Sequence, residues 1–148
     1  MKIVIISDTH GDNDAIKNVY LREYDADCFL HAGDSEAPAE DIAPFSGVKG
    51  NCDISSYQYP NSRLIKTPYG LLKIQHYPLF DDSCYKSLKE ENVKIFIHGH
   101  THKKEDREVD GVKILCPGSL SFSRDDIVGS YLVLKLSENK IETIFKKR

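Results

Sequence analysis

No two cysteines in this chain stand close enough to form a CxxC pair; Cys28, Cys52, Cys84 and Cys116 are widely scattered. That spacing argues against a thiolate-bound structural zinc and against a disulfide framework, and it predicts reduced thiols in a reducing compartment. Long apolar runs are also missing. The opening Ile3-Val4-Ile5-Ile6 is halted by Ser7-Asp8 before it reaches even the short core of a signal peptide, so it reads as a buried strand of a cytoplasmic protein with no membrane contact. Positive charge is in deficit. Twenty Lys and Arg against 23 Asp and Glu leave a net charge of −3, which argues against a general nucleic-acid binder and a stable nucleic-acid complex. The basic tail Lys146-Lys147-Arg148 is too short to change this and is expected to be a frayed, solvated terminus. Repeats, low-complexity segments and linkers are lacking as well, so residues 1–148 are expected to form a single domain. Its 148 residues suffice for a core without staples, since domains of about 150 residues bury roughly 68–70% of their unfolded surface.

What is present reads as an α/β pattern. The β-branched run over residues 2–7 predicts a strand buried on both faces. A helix follows from about Asp12 or Asn13, either of which can cap it, with Ala15, Ile16, Val19 and Tyr20 at helical spacing. Residues 27–31 predict a second buried strand, which makes the opening a right-handed parallel crossover. Residues 36–44 read as a loop or short helix bounded by prolines, and Val48-Lys49 as a brief strand. Hairpin arms are expected at 63–67 and 71–76, a helix over 82–92 capped by Asp82 or Ser83, and a strand over 93–97. A strand near 107–109, an Asp110-Gly111 turn, a strand over 112–115, and closing strands over 131–136 and 141–145 complete the series. Helices early and hairpins late favour two sheets flanked by helices over a doubly wound fold.

Four polar clusters stand where apolar runs stop: Asp8-Thr9-His10, Gly33-Asp34, Gly50-Asn51-Cys52-Asp53 and Gly99-His100-Thr101-His102. His76 stands alone at the end of another. Ligands in open α/β folds gather at the carboxyl ends of strands. Carboxylate, imidazole and amide oxygen together suit borderline divalent cations, Mn²⁺ first, with Fe²⁺, Ni²⁺ or Zn²⁺ admitted by the same donors. In an extended segment Asp8 and His10 point the same way and can grip one cation, and His100 and His102 are expected to diverge only slightly. Each piece also has an ordinary reading. Asp8 can cap the following helix, Asp34 can be a turn aspartate, Asn51 a left-handed turn residue and the GHTH segment a surface loop. His31 and His98 read as satisfied, partly buried histidines. Tyr57, Tyr59, Tyr77 and Phe80 can line a cleft, form a subunit contact or pack in the core.

In this order, DTH, GD, GNCD, His76, GHTH and the later Pro117-Gly118-Ser119 resemble the calcineurin-like metallophosphoesterases, and most closely their small bacterial and archaeal phosphodiesterase branch, the YfcE type. The likeness covers nearly the whole chain. It implies an αββα sandwich, two mixed β-sheets flanked by helices, with metals at one rim. By position Asp8, His10 and His102 hold a first cation, Asn51, His76 and His100 a second, and Asp34 both. Asp8, Asp34, Asn51 and His76 are then the catalytic group, and Asn51, His76 and Arg124 the candidate substrate contacts.

Two dications about 3.5–4 Å apart lower the pKa of a bridging water and clamp a phosphate. The expected reaction is therefore in-line attack on a phosphodiester by a metal-bridging hydroxide. A phosphomonoesterase and a noncatalytic scaffold of the same fold, as in a eukaryotic retromer subunit, are the rival readings. The expected partners are a small phosphoester substrate and a second or further copies of the chain in a homodimer or homotetramer. Three positions depart from the family pattern. Cys52 stands where many relatives carry a histidine that protonates the leaving group, and it is expected to pack beneath the site or, in the second reading, to act as a redox-sensitive thiol. Tyr77-Pro78 follows His76 where a glycine is usual, and His98 precedes Gly99.

Overall fold

The β-branched opening forms strand β1 (Lys2–Ile6), and its alternation splits the core in two. Ile3 and Ile5 join one buried cluster, Val4 and Ile6 another. The structure is a computed structural model that describes the backbone of residues 1–148 and every side chain except those of Ser56 and Asp82. Helix α1 (Asn13–Arg22) begins at Asp12, whose carboxylate accepts the Ala15 N–H at 3.1 Å, and it buries Ala15, Ile16 and Val19 on Val4 and Ile6. Strand β2 (Cys28–His31) then pairs parallel to β1, as the crossover predicts.

Strand β3 is Ser46–Gly47, paired parallel with Leu30 and His31, rather than Val48-Lys49. The Val48 N–H still reaches the His31 carbonyl (3.1 Å), but the Lys49 N–H turns to Pro60 (2.8 Å). Val48 is apolar because it enters the core between the sheets, not because it belongs to the ladder.

Strands β4 (Ser62–Thr67) and β5 (Gly70–Gln75) form the expected hairpin. Helix α2 (Asp82–Glu90) is capped by Asp81, which accepts the Cys84 N–H at 3.1 Å. This corrects the expected cap: Ser83 lies inside the helix, and the side chain of Asp82 lies outside the described residues. The helix stops short of Asn92, whose φ of +59° breaks the helical path. Strand β6 (Val93–Ile97) follows, then β7 (Lys104–Val109) and β8 (Val112–Pro117) around the Asp110-Gly111 turn. β7 is longer than its apolar signal suggests because it is an edge strand, where charged side chains meet solvent and guard against edge pairing.

Strands β9 (Ser130–Ser137) and β10 (Lys140–Lys147) close the fold. The basic tail is not frayed. Lys146 and Lys147 pair with Tyr131 and Ser130, and the Arg148 guanidinium lies 2.6 Å from Asp12. The cause is electrostatic as well as apolar: buried Glu23 draws the Lys146 ammonium to 2.6 Å and the Lys2 ammonium to 3.0 Å.

One sheet runs β10-β9-β1-β2-β3, the other β4-β5-β6-β8-β7, and both are mixed. Between them pack Ile3, Ile5, Leu30, Leu72, Ile74, Ile95, Ile97 and Leu132. Helix α1 covers the outer face of the first sheet, and Tyr85 and Leu88 of α2 cover Phe96 and Ile114 on the second. The result is the expected αββα sandwich. No helix among the described residues is long and apolar enough to cross a membrane.

Candidate metal centre

Strands β1, β2 and β3 are parallel in one sheet, as are β5, β6 and β8 in the other. Their carboxyl ends therefore deliver loops to one rim of each sheet, and hydrogen bonds knit these loops together. The Asp8 and Thr9 N–H groups donate to Gly33 and Asp34 (3.0 and 3.1 Å), and the Gly99 N–H donates to His76 (2.9 Å). Between the sheets the His100 N–H reaches Asp8 Oδ2 (3.2 Å), and His76 Nδ1 reaches the Ala32 carbonyl (2.8 Å).

Two glycines make this approach feasible. A Cβ on Gly50 would sit 2.0 Å from Asp34 Oδ1, and one on Gly99 would sit 2.1 Å from Ser7 Oγ. Any side chain at either position would push the loops apart.

The seven sequence-predicted donors converge. Suitable atoms of Asp8, His10 and His102 lie within 4.8 Å of one another, and so do those of Asp8, Asp34 and His76. Asn51 Oδ1 joins the second group at 3.0 Å from both His76 Nε2 and His100 Nδ1. Asp34 Oδ2 lies 3.3 Å from His76 Nε2. Asp8 is thus the carboxylate common to both groups.

The local backbone is not the extended segment expected of DTH. Asp8, His10, Asp34, His100 and His102 all have positive φ, between +46° and +67°, a left-handed conformation that Asp and His tolerate better than most residues. Strain of this kind gathers at functional sites. His100 and His102 also diverge widely, His100 facing His76 and His102 facing His10, with ring centroids 5.1 and 5.4 Å apart.

Ring orientation is fixed from behind. Nδ1 of His76 meets the Ala32 carbonyl, Nδ1 of His102 the Phe122 carbonyl (2.8 Å), and Nδ1 of His10 the Glu36 carboxylate (2.6 Å). If each Nδ1 carries the proton, each Nε2 presents a lone pair, the arrangement found behind metal-binding histidines. Unpartnered acceptors then face one another. Asp8 Oδ1 is buried without a hydrogen bond although His102 Nε2 lies 3.1 Å away, a cost that a cation between them removes. The donor set therefore fits divalent metal.

The electrostatics agree. Burial penalises the Asp34 charge, but His76 and the Cys52 N–H (2.7 Å) outweigh it and hold its pKa at about 2. Burial also opposes a charged His76, yet Asp34 and the Ala32 carbonyl raise its pKa. Asp8 is raised by burial against the pull of Ser7, His76 and His102, and His100 is lowered by burial and by His76. Asp34 and His76 thus stand where positive charge is favoured, whereas burial disfavours charge on Asp8 and His100.

Asp53 anchors the loops and was not singled out in the sequence. Its buried carboxylate accepts the N–H groups of Asp34, Glu36 and Gly50 (2.9, 2.8 and 2.8 Å) and the Ser35 hydroxyl (3.0 Å). Its place at the end of GNCD was the available signal. Ser119 supports from the opposite side, donating to the Asp8 carbonyl (2.8 Å).

Cys52 is exposed rather than packed beneath the site. Its N–H donates to Asp34 and its thiol accepts from Asn51 Nδ2 (3.1 Å), while desolvation and the Asp34 carboxylate push that thiol up to about 11. It forms a third group with His10 and Glu36, within the same 4.8 Å. Arg124 donates its N–H to the His102 carbonyl (3.0 Å), but its exposed side chain has no partner among the described residues.

His98 and His31 are satisfied buried histidines. His98 bonds Glu105 (2.8 Å) and the Gly99 carbonyl, and these with Cys116 overcome burial to hold its pKa at about 10. Burial lowers His31 to about 4, and it meets Thr9 Oγ1 at 2.9 Å. Of the aromatics, Tyr59 is buried in the α1 cluster, Tyr57 packs on it, and Tyr77 and Phe80 are exposed.

Residues 1–139 match the calcineurin-like phosphoesterase superfamily domain. The chain belongs to that family. A probable metallophosphoesterase of Methanothermobacter thermautotrophicus is 32% identical, over 96% of this chain and 90% of its own. A predicted phosphoesterase from Streptococcus pneumoniae TIGR4 superposes with a TM-score of 0.85 at 26% identity, covering 99% of this chain and 88% of that one. The fold alone is shared with two more distant structures. One is a novel archaeal phosphodiesterase, TM-score 0.74 at 20% identity over 99% and 100% of the two chains. The other is zinc-complexed Vps29 from Entamoeba histolytica, 0.72 at 21% over 99% of each.

Proposed function

We propose that this metallophosphoesterase-family chain is a dinuclear-metal-dependent phosphodiesterase. Asp8, His10 and His102 would hold one divalent cation and Asn51, His76 and His100 a second; Asp34 would serve both, as the family likeness implies, although Asp8 is the carboxylate found in both donor groups here, and Mn²⁺ is the first choice. The observation that carries this reading is the convergence of these donors at one rim of the sheets, with Asp8 Oδ1 buried and unpartnered among them. When bound, two such cations supply hydroxide near neutral pH and neutralise charge on a phosphoryl group.

The rest of the chemistry lies with the chain. Carbonyl and carboxylate acceptors behind His10, His76 and His102 fix the imidazoles before substrate arrives, so little reorganisation is needed. Asp53 sets the distance between the Asp34 and Asn51 loops through hydrogen bonds to the Asp34 and Gly50 N–H groups. Asp34, held ionised by His76 and the Cys52 N–H, stays an anionic ligand across the neutral range.

Protonation of the leaving group is the weak point. A well-placed acid contributes about 10²–10⁴-fold when its pKa lies near the working pH, whereas the Cys52 thiol sits at about 11. Diesters with good leaving groups should therefore turn over fastest. The test is turnover of an aryl phosphodiester against the matching monoester on Mn²⁺-loaded protein. Faster diester turnover is expected; faster monoester turnover would make the chain a phosphomonoesterase, and no turnover of either would favour a scaffold.

A further inference from the structure

A cleft of about 810 Å³ opens from the metal centre, touching it at Asn51 and His76 and extending along Lys49, Ile54, Ser55, Asn61, Gln75 and Tyr77. That volume lies within the roughly 300–1,000 Å³ typical of sites for whole small molecules, so it offers much more room than a phosphate group needs. Its lining is unusual for such a site, since most small-molecule pockets are mainly apolar. Here one lysine, three amides (Asn51, Asn61 and Gln75), two serines (Ser55 and Ser62) and the Asp53 carboxylate, whose oxygens are taken up by four loop donors, outnumber Ile54 and Tyr77.

Lys49 is the informative residue. It is half-buried, its ammonium reaches Ser55 Oγ at 3.5 Å, and it has no carboxylate partner among the described residues. Lys2 and Lys73 pair with Glu23 and Glu91, whereas Lys17 and Lys66, like Lys49, have no acidic partner among the described residues; Lys49 differs from those two in lining a cleft rather than standing exposed on the surface. An unneutralised cation inside a concave wall attracts anions more strongly than one on open surface. The Asn61 side chain makes no hydrogen bond among the described residues, and Gln75 spends one amide proton on the Tyr77 carbonyl (2.8 Å) and keeps its own carbonyl open. The Tyr77 ring, 49% exposed, lies 4.9 Å from the His100 ring, a flat surface beside the metal centre on which a planar group can stack.

We infer that this cleft is a specificity subsite, with Lys49 as its determinant, for the substituent of a phosphodiester that is large, polar and carries a second anionic group. This rests on the hydrolase reading above and names its substrate class. Ester phosphorus held at Asn51 and His76 leaves one substituent lying along the cleft, where Lys49 meets the second anion and the amides meet its polar groups.

The experiment compares thymidine 5′-(p-nitrophenyl phosphate) with its 3′-phosphorylated counterpart on the Mn²⁺-loaded enzyme. The wild type should prefer the 3′-phosphorylated diester in kcat/KM, mainly through KM. In Lys49→Gln that preference should fall roughly tenfold, the usual scale of one charge-assisted hydrogen bond, and Lys49→Arg should keep it. A wild type without preference, or a Lys49→Gln loss equal on both diesters, overturns the subsite.

A second measurement is independent of turnover. Thymidine 3′,5′-bisphosphate titrated into ¹⁵N-labelled, chelator-treated protein should shift amides in residues 49–55 and 61–62, and Lys49→Gln should abolish the shifts. Shifts confined to other regions overturn the subsite. Failure of all diester turnover with these shifts intact would instead remove the hydrolase reading and leave an anion-binding cleft.

Discussion

Asp34 combines three roles in a few ångströms. It accepts the Cys52 N–H, faces His76 at 3.3 Å, and its own N–H is held by Asp53. Replacing it by alanine removes charge from a site whose neighbours are arranged around that charge. Asp34→Ala should lower both metal retention and phosphodiester turnover by more than about 10²-fold, the upper end of what disturbing even a supporting partner of a metal ligand costs, with near-native far-UV circular dichroism. Metal content by mass spectrometry checks the first, and undiminished activity would remove Asp34 from the mechanism. Cys52 is the opposite case. Its thiol, pushed up to about 11, is a protonated group with little to offer as acid or nucleophile near neutral pH. Cys52→Ser should change turnover by less than about 2-fold, and a collapse in kcat would reveal a working thiol.

At the scale of elements, a buried charge at the end of α1 ties three strands to the helix. Glu23 accepts from the Tyr131 hydroxyl of β9 (2.8 Å), the Lys146 ammonium of β10 (2.6 Å) and the Lys2 ammonium of β1 (3.0 Å). Burial alone would raise its pKa, but these three partners outweigh burial and lower it. A carboxylate with a depressed folded pKa stabilises the fold above its unfolded value, near 4.3, and that contribution fades as pH falls through the lower folded pKa. Glu23→Gln should therefore cost roughly 1–3 kcal/mol at pH 7. The gap to wild type should close in urea melts below about pH 4. A gap that stays constant with pH would mean that Glu23 acts by packing rather than by charge.

For the whole molecule, what could be read from the residues depends on where each signal originates. The β1 crossover and the β6 strand were legible because continuous apolar runs buried on both faces have few other fates. The αββα arrangement followed from their order and from the family likeness. β7 was legible only in part because an edge strand carries charges where a core strand carries valines, and β3 was misplaced because two residues make no periodicity. The basic tail was misread for a related reason: Glu23, which holds Lys146, lies more than a hundred residues away in the chain.

Donor types in the site were legible, but its geometry was not. Left-handed turns at Asp8 and His10 lie where loops crowd together, Gly50 against Asp34 within one sheet and Gly99 against Ser7 between the two. Local spacing holds no trace of such long-range contacts. Asp53 escaped notice likewise, because its four hydrogen bonds reach residues far from it in sequence as well as near.

Under the proposed function, Asp8, His10, Asp34, Asn51, His76, His100 and His102 would together hold two divalent ions. Anomalous diffraction from crystals grown with Mn²⁺ tests it most directly. Two anomalous peaks per chain are predicted, one among Asp8, His10 and His102 and the other among Asn51, His76 and His100, with Asp34 touching both. A single peak, or none, at fully ordered donors would contradict the account.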